Sequence, residues 1–279
     1  MINVYLDHVL PQADSHPVPI YRAMRYSLFA GGKRIRPALV LMTAETLAGD
    51  PEELRAVAAA VEMIHTYSLI HDDLPSMDND DFRRGNPTNH RVFGEAVAIL
   101  AGDALLTAGL KLLSDAAYSA EIRCTLISQL TRAIGTEGMI GGQVLDILSE
   151  SKVIDRVELE MLHGMKTASL IAFCAVAPAI VLQQGKDIES ALGQYGEAIG
   201  LAFQIVDDIL DVEGTTQSLG KTAGKDSKAH KATYPSLIGL PESKSLAADL
   251  IQSAILSIAP FDQRGYLTSF AKYILERKQ

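Results

Sequence analysis

Residues 51–81 read PEELRAVAAAVEMIHTYSLIHDDLPSMDNDD, a long run of helix-forming residues that ends among five aspartates, Asp72, Asp73, Asp78, Asp80 and Asp81. Apolar side chains occupy much of the circumference instead of one stripe, which suits a helix inside a bundle better than one on a surface. Pro75 disturbs regular helix just beyond the first aspartates, so Asp78 is expected to return beside Asp72. The rest of the chain has the same character, rich in Ala, Leu, Ile, Met and Glu and poor in alternating β-branched runs. Predicted helices run over about 18–30, 35–47, 51–72, 95–114, 120–134, 157–183, 188–212, 246–258 and 265–276, with loops at Gly31-Gly32, 75–87, 138–142 and 214–234. The expected class is all-α, one large bundle forming a single domain over 1–279.

The 279 residues are 48% hydrophobic, enough for a substantial core, and 25 basic against 34 acidic residues give a net charge of −9. Without a long basic run, nucleic acid is not an expected partner. Cys124 and Cys174 form no CxxC pair and suggest neither a disulfide framework nor a zinc ribbon, which fits a reducing cytosol. The opening MINVYLDHVLPQADSHP lacks a basic segment followed by an apolar one, so no targeting segment is expected. Apolar stretches such as Thr167–Leu182 are broken by Pro178 and read as core helices, not as membrane spans.

A second acidic cluster, QIVDDILD, supplies Asp207, Asp208 and Asp211 inside an apolar helix. Asp207 and Asp211 are one turn apart on one face, a spacing that lets two carboxylates share one hard cation. Isolated Asp pairs are usually solvated caps, but burying the flanking Leu201, Phe203, Ile205, Val206, Ile209, Leu210 and Val212 drags these carboxylates inward, where unpaired charge is costly. Oxygen-only ligands favour Mg²⁺, which commonly links one or two carboxylates to a substrate phosphate. Glu62-Met-Ile-His65 and Glu160-Met-Leu-His163 also match the Glu-x-x-His units of di-iron bundles, a reading that leaves the aspartates unexplained.

Cations flank the acidic clusters. Gly31-Gly32-Lys33-Arg34-Ile35-Arg36-Pro37 joins a turn to three cations at a helix start, a natural seat for a diphosphate. Arg83 and Arg84 follow the first cluster, Lys166 lies in a long apolar helix where a buried ammonium needs a partner such as phosphate, and Lys221, Lys225 and Lys231 follow the second cluster. Two metal faces with separate basic seats imply two polyanionic groups bound together, and chemistry in which a diphosphate departs.

The motifs Asp72-Asp73-Leu-Pro-Ser-Met-Asp78 and Asp207-Asp208-Ile-Leu-Asp211, with GGKRIRP, GGQVLD, ATYPSL and SFAKYILERK, resemble those of the trans-isoprenyl diphosphate synthases. The resemblance covers most of the chain and implies the isoprenoid synthase fold around a central cavity, a homodimer, and condensation of isopentenyl diphosphate with dimethylallyl or geranyl diphosphate. It further implies that Asp72, Asp73, Asp78, Asp207 and Asp211 hold two or three Mg²⁺ ions, and that Asp208 and Lys166 join them in catalysis. Lys33, Arg36, His65 and Arg84 match the isopentenyl diphosphate seat. Arg83, Lys166, Thr167, Gln204, Lys221 and Lys231 match allylic diphosphate contacts, with Gln143 near the allylic chain.

Product length should follow from what blocks the pocket beneath the first cluster. Tyr67 precedes Asp72 by five residues, about 7.5 Å along a helix, and with Ser68 it resembles the floor of farnesyl-length enzymes. The loops NDDFRRGNPTNHRVFGE and LGKTAGKD also resemble geranylgeranyl-length ones, so C15 is expected with C20 as the alternative. A catalytically silent subunit would be expected to lose an acidic motif, and a terpene cyclase would have no use for the Lys33, Arg36 and His65 seat.

Overall fold

The computed structural model describes residues 2–150, 152–213 and 232–277, which form a succession of helices broken by one small hairpin. Helices α1 (Ile2–Val9), α2 (Val18–Leu28) and α3 (Ile35–Thr46) lead into a 3₁₀ turn, Pro51–Leu54, and then α4 (Arg55–Asp72). Asp50 starts this stretch by accepting a hydrogen bond from Glu52 N at 2.9 Å. The hairpin of β1 (Phe82–Arg83) and β2 (Asn86–Pro87) follows the first acidic cluster. After it come α5 (Asn89–Phe93), α6 (Glu95–Ser114), α7 (Ala120–Ile134), α8 (Met139–Ser149) and α9 (Arg156–His163). A π turn, Gly164–Ala168, joins α9 to α10 (Ser169–Val181), and α11 (Lys186–Glu213), α12 (Tyr234–Ile238), α13 (Leu240–Ile258) and α14 (Tyr266–Glu276) complete the order.

Helices α4 and α10 are buried on most of their surface, as their all-round apolar sequences require, and the other long helices pack about them. One apolar cluster unites α1 to α4, α6, α7, α10, α11, α13 and α14. A smaller one, with Ile205, Val206, Ile209 and Tyr234, lies beside the second acidic cluster. Close backbone approach fixes α10 and its π turn against α11. A Cβ on Gly196 would lie 2.4 Å from Ala172 Cα, and one on Gly200 would lie 2.5 Å from Ala168 Cα.

The all-α expectation holds, with several differences in detail. Residues 138–142, expected as a loop, mostly open α8, because Gly142 sits against the π turn where a Cβ would lie 2.3 Å from Lys166 N. Packing outweighs the weak helix preference of glycine there. The expected helix over 157–183 contains the π turn, and the one expected from 246 begins at Leu240 with Pro241 in its first turn. Helices α1, α5 and α12 have no counterpart among the expected helices. Cys174 is buried and Cys124 is exposed. Two helical stretches, 95–114 and 156–181, are long and apolar enough by length and composition to cross a membrane, and the second is longer than the sequence reading allowed because helix continues through Pro178 and the π turn. The second is largely buried inside the bundle; the first is 33% buried.

Candidate active site

The first acidic cluster is shaped by the way α4 stops. Past Asp72 the chain turns back, with Asp78 N donating to Asp72 O at 2.8 Å and Asp80 N donating to Asp73 O at 3.2 Å. The return of Asp78 expected from Pro75 is therefore present. Asp73, 3% exposed, receives both Arg83 Nε at 2.7 Å and Arg83 Nη2 at 2.6 Å on its Oδ1, a charged contact supplied by β1. Burial works against the charge on Arg83, but the bonds and charges of Asp73, Asp72 and Asp80 outweigh it and raise its pKa. Asp72 is different. Burial pushes its carboxyl up to about 6, Lys166 opposes the shift, and Asp78 and Asp73 reinforce it. The fold thus holds a carboxylate whose charge it does not fully compensate.

On α11 the three aspartates of the second cluster have distinct surroundings. Asp207 accepts from Arg277 Nη2 at 3.2 Å, and Arg277 also donates to Phe203 O at 2.7 Å and lies 3.8 Å over the Phe203 ring. Asp208, 3% exposed, accepts from Gln204 Nε2 at 3.1 Å and from Tyr234 N at 3.0 Å, while the ring of His163 stacks on Tyr234. Asp208 therefore fastens the start of α12 to α11. Asp211 Oδ1 is buried and finds no hydrogen-bond partner among the described residues. That orphaned oxygen and the raised carboxyl of Asp72 fit a hard divalent cation. No three carboxylate, imidazole or thiol groups form a ready-made cage among the described residues, so such an ion would complete its shell with water or substrate oxygens.

The π turn links the clusters. Lys166 is half-buried, not buried as expected, and its Nζ lies 2.5 Å from Asp146 Oδ2 of α8, so the fold supplies a partner where the sequence suggested phosphate. Its charge also reaches Asp72. The neighbouring Thr167 Oγ1 donates to Gln204 Oε1 at 3.3 Å, one turn before Asp208. A π turn at this point aims two adjacent polar side chains at two different helices, an irregularity common where helices carry function. Gln143, also on α8, has a buried Nε2 without a partner among the described residues.

The expected diphosphate seat gathers on α3, α4 and the hairpin. Arg84 Nη1 donates to Gly31 O, with its guanidinium against Gly32, whose φ of +119° favours glycine. Burial lowers the pKa values of Arg36 and Arg84, and Arg36 Nε is buried without an acceptor among the described residues. Burial, then the charges of Arg36, Arg84, Arg83 and Arg34, hold His65 well below the ordinary imidazole range and therefore neutral. Lys33 is lowered by burial and by Arg277, with Asp207 opposing, which puts it within electrostatic reach of the second cluster. A small cavity of about 30 Å³ is lined by Asp73 together with Tyr26, Thr66, Arg83, Arg84 and Asn89.

Tyr67 is 5% exposed, packs edge-on to His71 with ring centroids 5.6 Å apart, and is pushed to about 12 by burial, then Asp72 and Asp103. Ser68 Oγ donates to His65 O at 2.9 Å. Lys221, Lys225 and Lys231 lie outside the described residues. The di-iron alternative fails, since Glu62 is paired with Arg34 and Glu160 is exposed. Two residues at the site were not singled out from sequence, Asp146 and Arg277, and Glu62 was read only as a candidate iron ligand. Asp146 closes the quoted GGQVLD and Arg277 lies in SFAKYILERK, so proximity to a motif was their only signal.

Paired acidic clusters beside a separate arginine-lined seat can hold two polyanions, one through cations and one directly. The polyprenyl synthetase family profile matches residues 17–260. A farnesyl diphosphate synthase of Haemophilus influenzae is 45% identical over 99% of this chain and 95% of its own length. A chloroplastic geranylgeranyl pyrophosphate synthase of Capsicum annuum is 46% identical over 99% of this chain and 76% of its own length. The solved structure of an FPP/GFPP synthase from Zymomonas mobilis superposes with a TM-score of 0.88 at 40% identity, covering 98% of this chain and 94% of the other. With the helical fold and both acidic motifs in place, the chain belongs to the polyprenyl synthetase family.

Proposed function

We propose that this chain is an Mg²⁺-dependent short-chain prenyltransferase that joins isopentenyl diphosphate to dimethylallyl and then geranyl diphosphate, releasing farnesyl diphosphate. The observation that carries this reading is the pairing of incompletely compensated carboxylates, Asp72 and Asp211, with a separate cationic seat at Arg36, Arg84 and neutral His65. Asp72, Asp73, Asp78, Asp207 and Asp211 would hold the ions, which when bound neutralise the leaving diphosphate. Arg83, Lys166, Thr167 and Gln204 would orient the allylic diphosphate, with Lys221 and Lys231 as further contacts. Lys33, Arg36, His65 and Arg84 would hold isopentenyl diphosphate. Asp208 keeps α12 against α11 beneath these groups. Apolar walls exclude water from the allylic cation, the isopentenyl double bond forms the new carbon–carbon bond, and a proton leaves to the departed diphosphate.

The buried ring of Tyr67, in electrostatic reach of Asp72, supports a floor that stops growth at C15. Relatives named as geranylgeranyl enzymes favour C20 as the second reading. We further propose one domain, a cytosolic setting and a homodimer, the last supported by the exposed Ile99 and Leu100 on α6. The test is incubation of purified protein with Mg²⁺, isopentenyl diphosphate and dimethylallyl diphosphate, followed by dephosphorylation and sizing of the alcohols. Farnesol is expected. Consumption of the allylic substrate without isopentenyl diphosphate would overturn the proposal.

A further inference from the structure

The cations of Lys33-Arg34-Ile35-Arg36 do not do the same work. Arg34 is fully engaged inside the protein. Its Nη1 lies 2.5 Å from Glu62 Oε1, its Nη2 donates to Leu28 O at 2.6 Å, and its Nε donates to Asn3 Oδ1 at 3.1 Å. Its backbone has φ +53°, a left-handed conformation that a non-glycine residue keeps only when its surroundings hold it there. Glu62, 2% exposed, lies one turn before His65 on α4 and is surrounded by cations. Its charge acts on Arg36 and Arg84 as well as pairing with Arg34.

A buried carboxylate must find a partner, because removing one member of a buried pair leaves an uncompensated charge. Without Arg34, the guanidinium groups available to Glu62 are Arg36 and Arg84, the groups that the diphosphate seat needs. Building on the proposed function, we propose that Arg34 is a positioning residue: it occupies the buried carboxylate of Glu62 and so leaves Arg36 and Arg84 available to isopentenyl diphosphate. Glu62, in turn, makes the crowded cation cluster tolerable before any anion binds.

The test is a double-variant cycle read in substrate-specific constants. Arg34→Met should raise KM for isopentenyl diphosphate by about tenfold or more, the scale of one lost charged hydrogen bond, while KM for geranyl diphosphate stays within about threefold. Adding Glu62→Gln should restore the isopentenyl diphosphate KM to within about threefold of wild type, because no carboxylate remains to capture Arg36 or Arg84. A single variant that leaves both constants unchanged or raises both alike, or a double variant as impaired as the single, overturns the assignment. Should Arg34→Met fail to fold, Glu62→Gln alone decides the matter. It should lower Tm without ligand and bind isopentenyl diphosphate severalfold more tightly in calorimetry at low salt, the gain fading as salt is added. Unchanged or weaker binding overturns it. If wild-type protein neither binds nor consumes isopentenyl diphosphate, the proposed function fails; if it does both and the cycle is flat, only the role of Arg34 fails.

Discussion

Replacing Tyr67 by alanine should lengthen the product by one five-carbon unit. The ring is 5% exposed on α4, five residues before Asp72, so truncation opens space about 7.5 Å along the helix from the first acidic cluster. The phenol ring removed is close in size to one prenyl unit, which moves the main product from farnesyl to geranylgeranyl diphosphate. Emptying a buried aromatic site costs about 3–5 kcal/mol, and in a chain of this size that lowers Tm by roughly 10 °C. Tyr67→Phe keeps the volume and should leave product length unchanged. The assay is chromatography of dephosphorylated products from protein shown by circular dichroism to be folded at the assay temperature. Folded, active Tyr67→Ala that still stops at C15 would refute the floor.

Asp72 gives a pH signature with two opposed directions. Its pKa of about 6 in the folded chain, against an ordinary 3.8, means the native state binds the extra proton between those values. Folding stability should therefore fall as pH rises through that window, by about 1–2 kcal/mol once partial exposure is allowed for, whereas Mg²⁺ affinity should rise. Asp72→Asn should flatten both trends in urea unfolding and metal titrations between pH 4 and pH 7. Asp146→Ala strips Lys166 of its partner and should cost about 2–3 kcal/mol in denaturant unfolding; adding Lys166→Met should cost less than the sum of the two single changes. Gly200→Ala drives a Cβ to 2.5 Å from Ala168 Cα and should destabilise the protein by about 1–3 kcal/mol. A Gly200→Ala protein as stable as wild type would contradict the packing of α11 on the π turn.

The class of fold was legible because α4 and α10 are apolar around most of their circumference, and such helices have no stable place outside a bundle. The two aspartate clusters were legible because charge inside an apolar helix demands compensation. Partnerships across the fold were not. Nothing in GGQVLD says that Asp146 meets Lys166, 20 residues on, because the contact depends on Gly142 letting α8 touch a π turn whose hydrogen-bond shift has no local sequence signal. Likewise the family resemblance set Arg36 and Arg84 apart from Arg34 without giving Arg34 a partner, and only tertiary contact shows that Glu62 holds it. Arg277 finds Asp207 from the far end of the chain, 70 residues away. Helix α8 was misread because its glycines, usually breakers, serve close packing.

A crystal structure of the protein with Mn²⁺ in place of Mg²⁺ and a non-cleavable geranyl thiodiphosphate tests the central claim most directly. Anomalous peaks should lie against Asp72 on one side and Asp207 or Asp211 on the other, with the diphosphate oxygens between them. Peaks on neither aspartate row, or a diphosphate bound away from both, would contradict it.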